Sequence, residues 1–524
     1  MIREKNLNNR LINSLLFLLI FISFLVNLGL FPFYHEEPRR ALITLEMIFS
    51  GNYMVPTYLG EYYYKKPPVF NWILALSYSI FDNYSEFATR IITPVSNFLM
   101  GIILYFVTRK YINHTVAILS ALLFLVSAHT YFYESLLAEI DLFYCLITFL
   151  GLLTIFHFHQ KQKYFLLFTT TYILHAIGTL TKGFPSILIV GLSLLSYFIV
   201  KKDVRKLFSF NHLFGIILYV LIISIYLLIY AQYNSLEAYI NGLWGQSSEM
   251  TLLENRFITV IKGLFTYPFS VWKDNLPASL LIIFFFRKDF LQRLKSNPLV
   301  LFGAVIFVAN IWVYWISPKS APRYTIMFNP FLVVIFVYFM VDYYQSESFK
   351  TRIIEWISGI LILLLLGATI AINFIEQVQV LDHVLIISIV LGILQTIVFI
   401  LYLKRRYWRL QLLIVSLILT RFLFDLIALP LRATISNAQQ DKTIAYEITE
   451  ITGDEDLYIL EDTQFSQTTY FYLERERKKI LNRISSINQE NWYLAEQEMV
   501  INFNHETFMQ FRYRDQDIVL IKFR

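Results

Sequence analysis

The sequence predicts an all-α polytopic membrane protein with a small C-terminal α/β or α+β domain outside the bilayer. Three observations predict it. Of 524 residues, 57% are hydrophobic and only 16% charged, whereas soluble domains carry about 25% charged residues. Apolar runs of bilayer length, about 20 residues, recur from the first helix to residue 430. The remainder, 431–524, is polar, with strand-like runs at Leu457–Leu460, Met499–Phe503 and Ile518–Phe523 separated by polar stretches. So high an apolar content excludes disorder. The single cysteine, Cys145, excludes a disulfide framework and a cysteine-based zinc site. The net charge of +6 is small for this length and is taken up by membrane orientation, so no nucleic-acid partner is expected.

Apolar runs fall at 11–31, 88–108, 113–130, 138–157, 164–181, 183–200, 212–231, 276–286, 298–317, 322–341, 353–373, 384–403 and 410–430. The 276–286 run is short and 164–200 shares one interruption, so about 11–13 spans are expected. The first run is too long and too poor in small residues at its end for a cleaved signal peptide, and is expected to stay as a helix. Lysines and arginines set the orientation. With Arg3, Lys5 and Arg10 in the cytoplasm, alternate loops carry Arg109–Lys110, Lys161 and Lys163, Lys201–Lys202, Arg287–Lys288, Lys350 and Arg352, and Lys404–Arg405–Arg406. The opposite loops are cation-poor. The expected organisation is a membrane domain, 1–430, with long outer loops at 32–87 and 232–275, followed by a soluble extracytoplasmic domain, 431–524.

Five places on the outer side break the charge rule. His35-Glu36-Glu37-Pro38-Arg39-Arg40 follows the first span, and Pro38 favours a helix start there. Glu36 and Glu37 would then sit at a helix N-terminus, where negative charge is favoured. As an isolated feature this is an ordinary cap; the two outer arginines are what need explaining. Tyr62-Tyr63-Tyr64-Lys65-Lys66-Pro67-Pro68 reads either as an interfacial anchor or as a phosphate-binding lysine on a rigid turn. Glu139 and Asp141 open the fourth span, where ionisable groups are costly and point to function. Being two apart they face different ways, so one of them is expected to face an interior cavity. Asp141 is placed to hold a neighbouring cation, such as Arg39 or Lys66. Lys182-Gly183-Phe184-Pro185 puts a cation between two apolar runs, and Lys319 and Arg323 sit in a proline-bounded outer turn before Tyr324. Each of these is by itself compatible with a turn or a cap. Together they place cations and carboxylates at one membrane level, which suits a phosphate or pyrophosphate in the headgroup layer and a general base beside it.

These blocks carry a resemblance. Glu-Glu-Pro-Arg, SGNYMVPTYLGEYYYKKPPVFNWI, LLAEIDLFYCLITFLGLL, TLTKGFPSILI and SPKSAPRYTIMFNPF resemble, in order and spacing, the membrane glycosyltransferases of the GT-C fold. In pattern they are similar to the bacterial aminoarabinose transferases of lipid A and to the dolichyl-phosphate-mannose protein mannosyltransferases. The resemblance covers residues 10–345; beyond that it is architectural. It implies inverting transfer from a polyprenyl-phosphate sugar to a lipid, protein or glycan acceptor at the outer face of a bacterial inner membrane, by a monomer among membrane lipids. The family's acidic pair and arginine match Glu36, Glu37 and Arg39, although its usual first acid is aspartate. Its lysine before proline matches Lys66, and its fourth-span acid matches Asp141. Its lysine–glycine pair matches Lys182 and Gly183, and its later turn matches Pro322 and Tyr324. In the lipid A enzymes a glutamate associated with a metal precedes the first lysine; Lys65 stands there here, so no metal site is carried over.

The expected catalytic carboxylates are therefore Glu36, Glu37 and Asp141. The expected donor-phosphate and substrate-binding residues are Arg39, Lys66, Lys182, Lys319, Arg323 and Tyr324. Cations would hold the leaving phosphate, and a carboxylate would orient or deprotonate the acceptor, with Glu36 ahead of Asp141 for that role. No nucleotide cofactor is expected, because there is no glycine-rich phosphate loop. The alternative is a glycan ligase or polymerase, or a flippase for polyprenyl-linked lipids. Such proteins more often carry charge at mid-span, whereas the charges singled out here gather at one face.

Overall fold

Where each membrane helix begins and ends follows from its apolar run and the residues that cap it. The computed structural model describes residues 9–249, 256–317, 321–344, 348–485, 488 and 491–523. Among them nine helices are long and apolar enough to cross a membrane: Glu86–Tyr111, Ile140–Gln160, Tyr164–Lys182, Phe210–Tyr230, Pro298–Trp315, Arg323–Tyr343, Phe349–Phe374, Val384–Lys404 and Arg406–Ile435. His114–Leu125 and Ala128–Leu136 make a tenth if taken as one span bent by 46°. The apolar helices Arg10–Leu25 and Pro185–Lys201 are shorter and coincide with two further expected spans. Side chains of Asn9, Asn113, Asn297 and Ser348 accept hydrogen bonds from first-turn amides and fix four of these starts. The 276–286 run is not a span. It forms a 3-10 helix, Ala278–Phe285, of eight residues, which rises about 16 Å, half of what a bilayer core needs.

The chain separates into two compact units. The first comprises Met1–Asn27, Thr93–Ile225 and Leu243–Ala428; the second comprises Leu28–Ile92, Tyr226–Gly242 and Leu429–Arg524. The first is a helical body with one large apolar core. Its packing is close: the Cβ of Phe331 would lie 2.9 Å from a Cβ placed on Gly303, and the rings of Phe149, Phe302 and Phe331 meet edge to face.

The second unit joins residues 28–92 and 226–242 to the C-terminal segment. Residues 37–81 form a helix, Glu37–Ser50, a hairpin of β1 (Thr57–Tyr58) and β2 (Glu61–Tyr62), and a second helix, Val69–Phe81. The C-terminal segment forms a five-stranded sheet from β3 (Leu457–Leu460), β4 (Arg483–Ile484), β5 (Trp492–Glu496), β6 (His505–Tyr513) and β7 (Gln516–Phe523). Its order is β4-β3-β5-β7-β6, with β3 parallel to β4 and β5, and β7 antiparallel to β5 and β6. Alternation along the strands sorts the two faces. Leu457, Ile459, Trp492, Leu494, Ile518 and Leu520 share a core with the helix Gln467–Arg477 and with Phe33, Leu42 and Leu45 of the first loop. Leu460, Tyr493, Ala495, Val519 and Ile521 form the other face. The expected strand at Met499–Phe503 is not one. Val500 ends a short helical turn, Gln497–Val500, while Ile501 is 70% and Phe503 52% exposed. Residues 497–504 are the connection between β5 and β6, and only Val500 of that run is needed in the core.

Candidate active site

In the first unit, two helix ends of opposite polarity meet. The helix Tyr164–Lys182 stops at Gly183, whose φ of 85° and ψ of −144° belong to glycine, and Pro185 starts the next helix. The chain therefore turns directly after Lys182 and leaves its ammonium at a helix C-terminus, where a cation is favoured. Asp141 lies in the first turn of Ile140–Gln160, where an anion is favoured. Lys182 Nζ donates to Asp141 Oδ1. The same ammonium stands 4.5 Å from the ring centre of Tyr324 and 5.2 Å from that of Tyr144, within cation–π range.

A second pair adjoins the first. Arg323 opens the 3-10 turn Pro322–Phe328, and its Nη1 donates to Glu139 Oε2 at 2.7 Å. Glu139 caps the helix that carries Asp141. Both carboxylates are buried, so the expectation that only one would face inward does not hold; their spacing of two residues instead lets each reach a different cation. A cation held by Asp141 is Lys182. Arg323 Nε is buried without a hydrogen-bond partner among the described residues, and Asp141 takes only one of the three N–H groups an ammonium offers. These pairs keep donors in reserve.

In the second unit, the acidic pair divides. Glu37 is fully buried and takes Arg90 in a two-pronged bond, Nε to Oε1 at 2.8 Å and Nη2 to Oε2 at 3.0 Å. Arg90 also donates to the carbonyls of Leu28, Phe31 and Pro32, and its guanidinium lies 3.7 Å over the ring of Phe31. Glu36 caps the same helix but is 41% exposed, and it pairs with Arg39 Nη1 at 2.7 Å. Arg40 is buried; its Nη2 donates to Tyr63 Oη at 2.6 Å, while its Nη1 has no partner among the described residues. Lys66 is half-buried beside the buried Pro67 and Pro68.

The structure thus brings Asp141, Lys182, Arg323 and Tyr324 together in one unit, and Glu36, Glu37 and Arg39 together in the other. Lys319 lies outside the described residues. Two participants were not singled out from the sequence. Arg90 lies in the 88–108 apolar run, and the signal that sets it apart is an arginine near the end of such a run. Arg40 adjoins Arg39 in the sequence, and nothing in its neighbours tells the two apart. Among the described residues, no group of three or more histidines, cysteines, aspartates and glutamates has the geometry of a metal site.

A family model described as dolichyl-phosphate-mannose-protein mannosyltransferase matches residues 65–230. An uncharacterized protein of Aquifex aeolicus is 30% identical over 188 residues, 36% of this chain and 41% of that protein. The undecaprenyl phosphate-alpha-4-amino-4-deoxy-L-arabinose arabinosyl transferase of Pseudomonas savastanoi pv. phaseolicola is 27% identical over 204 residues, 38% of each chain. The matches span 41% and 38% of the length of these curated relatives. The crystal structure of ArnT from Cupriavidus metallidurans bound to undecaprenyl phosphate superposes with a TM-score of 0.72 over 97% of both chains, at 15% identity. The fold is therefore the GT-C type that the sequence blocks resemble, and the protein is an integral membrane protein.

Proposed function

We propose that this protein is an inverting glycosyltransferase that moves a sugar from a polyprenyl-phosphate donor to a lipid, protein or glycan acceptor at the outer face of a bacterial inner membrane. One observation carries the proposal: in a fold shared with a protein that binds undecaprenyl phosphate, Lys182 and Arg323, held by the buried carboxylates Asp141 and Glu139, form a partly buried pair of cationic sites with donors to spare. The donor phosphate binds there, and Asp141 and Glu139 hold the two cations in place. Tyr324 flanks the ammonium.

The acceptor oxygen attacks the anomeric carbon on the face opposite the phosphate. The carbon–oxygen bond to phosphate breaks, and the polyprenyl phosphate leaves with the bonding electrons, its charge held by the cations. The acceptor proton passes to a carboxylate, for which Glu36 is the candidate because it is exposed. Glu37, enclosed by Arg90, fixes the helix that presents Glu36. An acceptor that attacks through a phosphate oxygen needs no base, and Glu36 then positions it. The N-terminus is cytoplasmic and the C-terminal segment extracytoplasmic.

Purified protein is incubated with undecaprenyl-phosphate sugars and free undecaprenyl phosphate is measured. Release that depends on an acceptor is expected; no release with any such donor would end the proposal. Orientation is tested with a cysteine at Ser436 in a Cys145→Ser background. A membrane-impermeant reagent is expected to label it in intact spheroplasts, and labelling only after lysis would reverse the topology.

A further inference from the structure

The second unit holds a cavity that the transfer step leaves unused. Its volume is about 740 Å³, within the range of small-molecule sites. The β1–β2 hairpin and the residues just after it form one wall. The loop after β3 and the β6–β7 turn form the other.

Three features define what it suits. The first is a run of aromatic rings: Tyr63 stands 6.5 Å from Tyr58, Tyr58 lies 6.5 Å edge-on from Tyr470, and Tyr470 is 4.1 Å from Phe465. The second is charge of both signs. Arg39, Lys65, Arg483 and Arg514 line the cavity, and Glu61, Asp462 and Asp515 face it as well. The third is an unused acceptor. Gln467 lines the same cavity, and its Oε1 is buried with no hydrogen-bond partner among the described residues. A buried carbonyl left unpaired is costly, and a ligand hydroxyl would relieve it. Flat rings suit the C–H faces of a pyranose, while interspersed donors and acceptors suit its hydroxyls. Four cations to three carboxylates leave room for a phosphate or carboxylate on the sugar. An apolar ligand would leave seven charged groups desolvated.

We infer that this cavity binds the saccharide part of the acceptor, a glycan head group bearing phosphate or carboxylate. The inference rests on the glycosyl-transfer proposal and narrows its acceptor from lipid, protein or glycan to a glycan-bearing molecule. Arg39 connects the two. Its side chain lines the cavity and its Nη1 holds Glu36 at 2.7 Å, so a glycan seated here lies one side chain from the proposed base.

The test uses full-length protein in phosphatidylcholine nanodiscs. Two probes are titrated by calorimetry: the water-soluble core oligosaccharide released from lipopolysaccharide, and a Ser/Thr-rich peptide of equal net charge. Undecaprenyl phosphate binding is measured in parallel as the control for folding. Wild type is expected to bind the oligosaccharide. Arg483→Ala, Arg514→Ala and Tyr513→Ala are each expected to weaken it roughly 10-fold or more, with undecaprenyl phosphate binding unchanged. Absence of oligosaccharide binding, equal binding by wild type and all three variants, or peptide binding that the same variants abolish would each overturn the inference. Donor turnover separates the two levels. Release of undecaprenyl phosphate without glycan binding removes only the cavity assignment, whereas no release at all removes the transfer proposal itself.

Discussion

The two units each contain paired carboxylates and cations, yet the pairs are built differently. Glu37–Arg90 is sealed: both carboxylate oxygens are engaged, and the guanidinium also serves three backbone carbonyls. In Asp141–Lys182 and Glu139–Arg323 the carboxylates are buried too, but the lysine keeps N–H groups in reserve and Arg323 Nε has no partner among the described residues. A pair whose hydrogen bonds are all used inside the protein holds the fold. A pair with unspent donors beside aromatic rings has hydrogen bonds left to offer a further anion, which is what the proposed function uses. Burial of the carboxylates does not tell the two apart; the count of satisfied donors does.

Breaking the sealed pair has the largest expected effect. Arg90→Ala leaves Glu37 buried without its partner, which costs about 3–5 kcal/mol. Full-length protein should lose thermal stability in detergent by an amount that abolishes recovery of the folded form. Near-normal melting of Arg90→Ala would mean that Glu37 is not structural.

Glu36→Gln keeps shape but removes charge. Turnover with a hydroxyl acceptor should fall by about 10²–10⁴ with melting unchanged. If Glu36→Gln is active and Glu37→Gln is folded but inactive, the catalytic role moves one residue along the helix.

A third contrast lies within the second unit. Glu46 is buried and accepts from the amides of Leu59 and Gly60. Burial is the main influence, and it pushes the carboxyl up from its ordinary 4.5 to about 7. The folded state thus holds the proton more tightly than the unfolded state. The stability linked to this group is present below about pH 4.5 and is lost as pH rises through 7, by about 3 kcal/mol. Glu46→Gln should therefore melt higher than wild type at pH 8, with the difference shrinking toward pH 5. A constant difference across that range would contradict the assignment.

The exposed Glu36–Arg39 pair should matter least for stability. Arg39→Ala is expected to change it by at most about 1 kcal/mol, against the several lost at Arg90. Equal destabilisation by the two would erase the distinction between sealed and open pairs.

Much of the membrane fold was legible because apolar runs of bilayer length need no partner to be recognised. The exceptions are instructive. Residues 276–286 are apolar enough for a span but too few, and they wind into a 3-10 helix. The strand β6, HETFMQFRY, is too polar for its period to stand out, and its burial is mostly partial or absent. The charged residues were visible as breaches of the loop-charge rule, but their pairing was not. Glu37 meets Arg90 across 53 positions and Glu139 meets Arg323 across 184, distances over which no local pattern speaks. Likewise Asp141 meets Lys182 across 41 positions, where Gly183 stops the helix directly after the lysine.

The most direct test compares wild type with Lys182→Ala on one undecaprenyl-phosphate sugar, measuring release of undecaprenyl phosphate alongside thermal melting. Wild type should release it, and Lys182→Ala should release it about 10²–10³-fold more slowly while the protein remains folded. Equal release by both folded proteins would contradict the claim that the lysine with unspent donors holds the leaving phosphate.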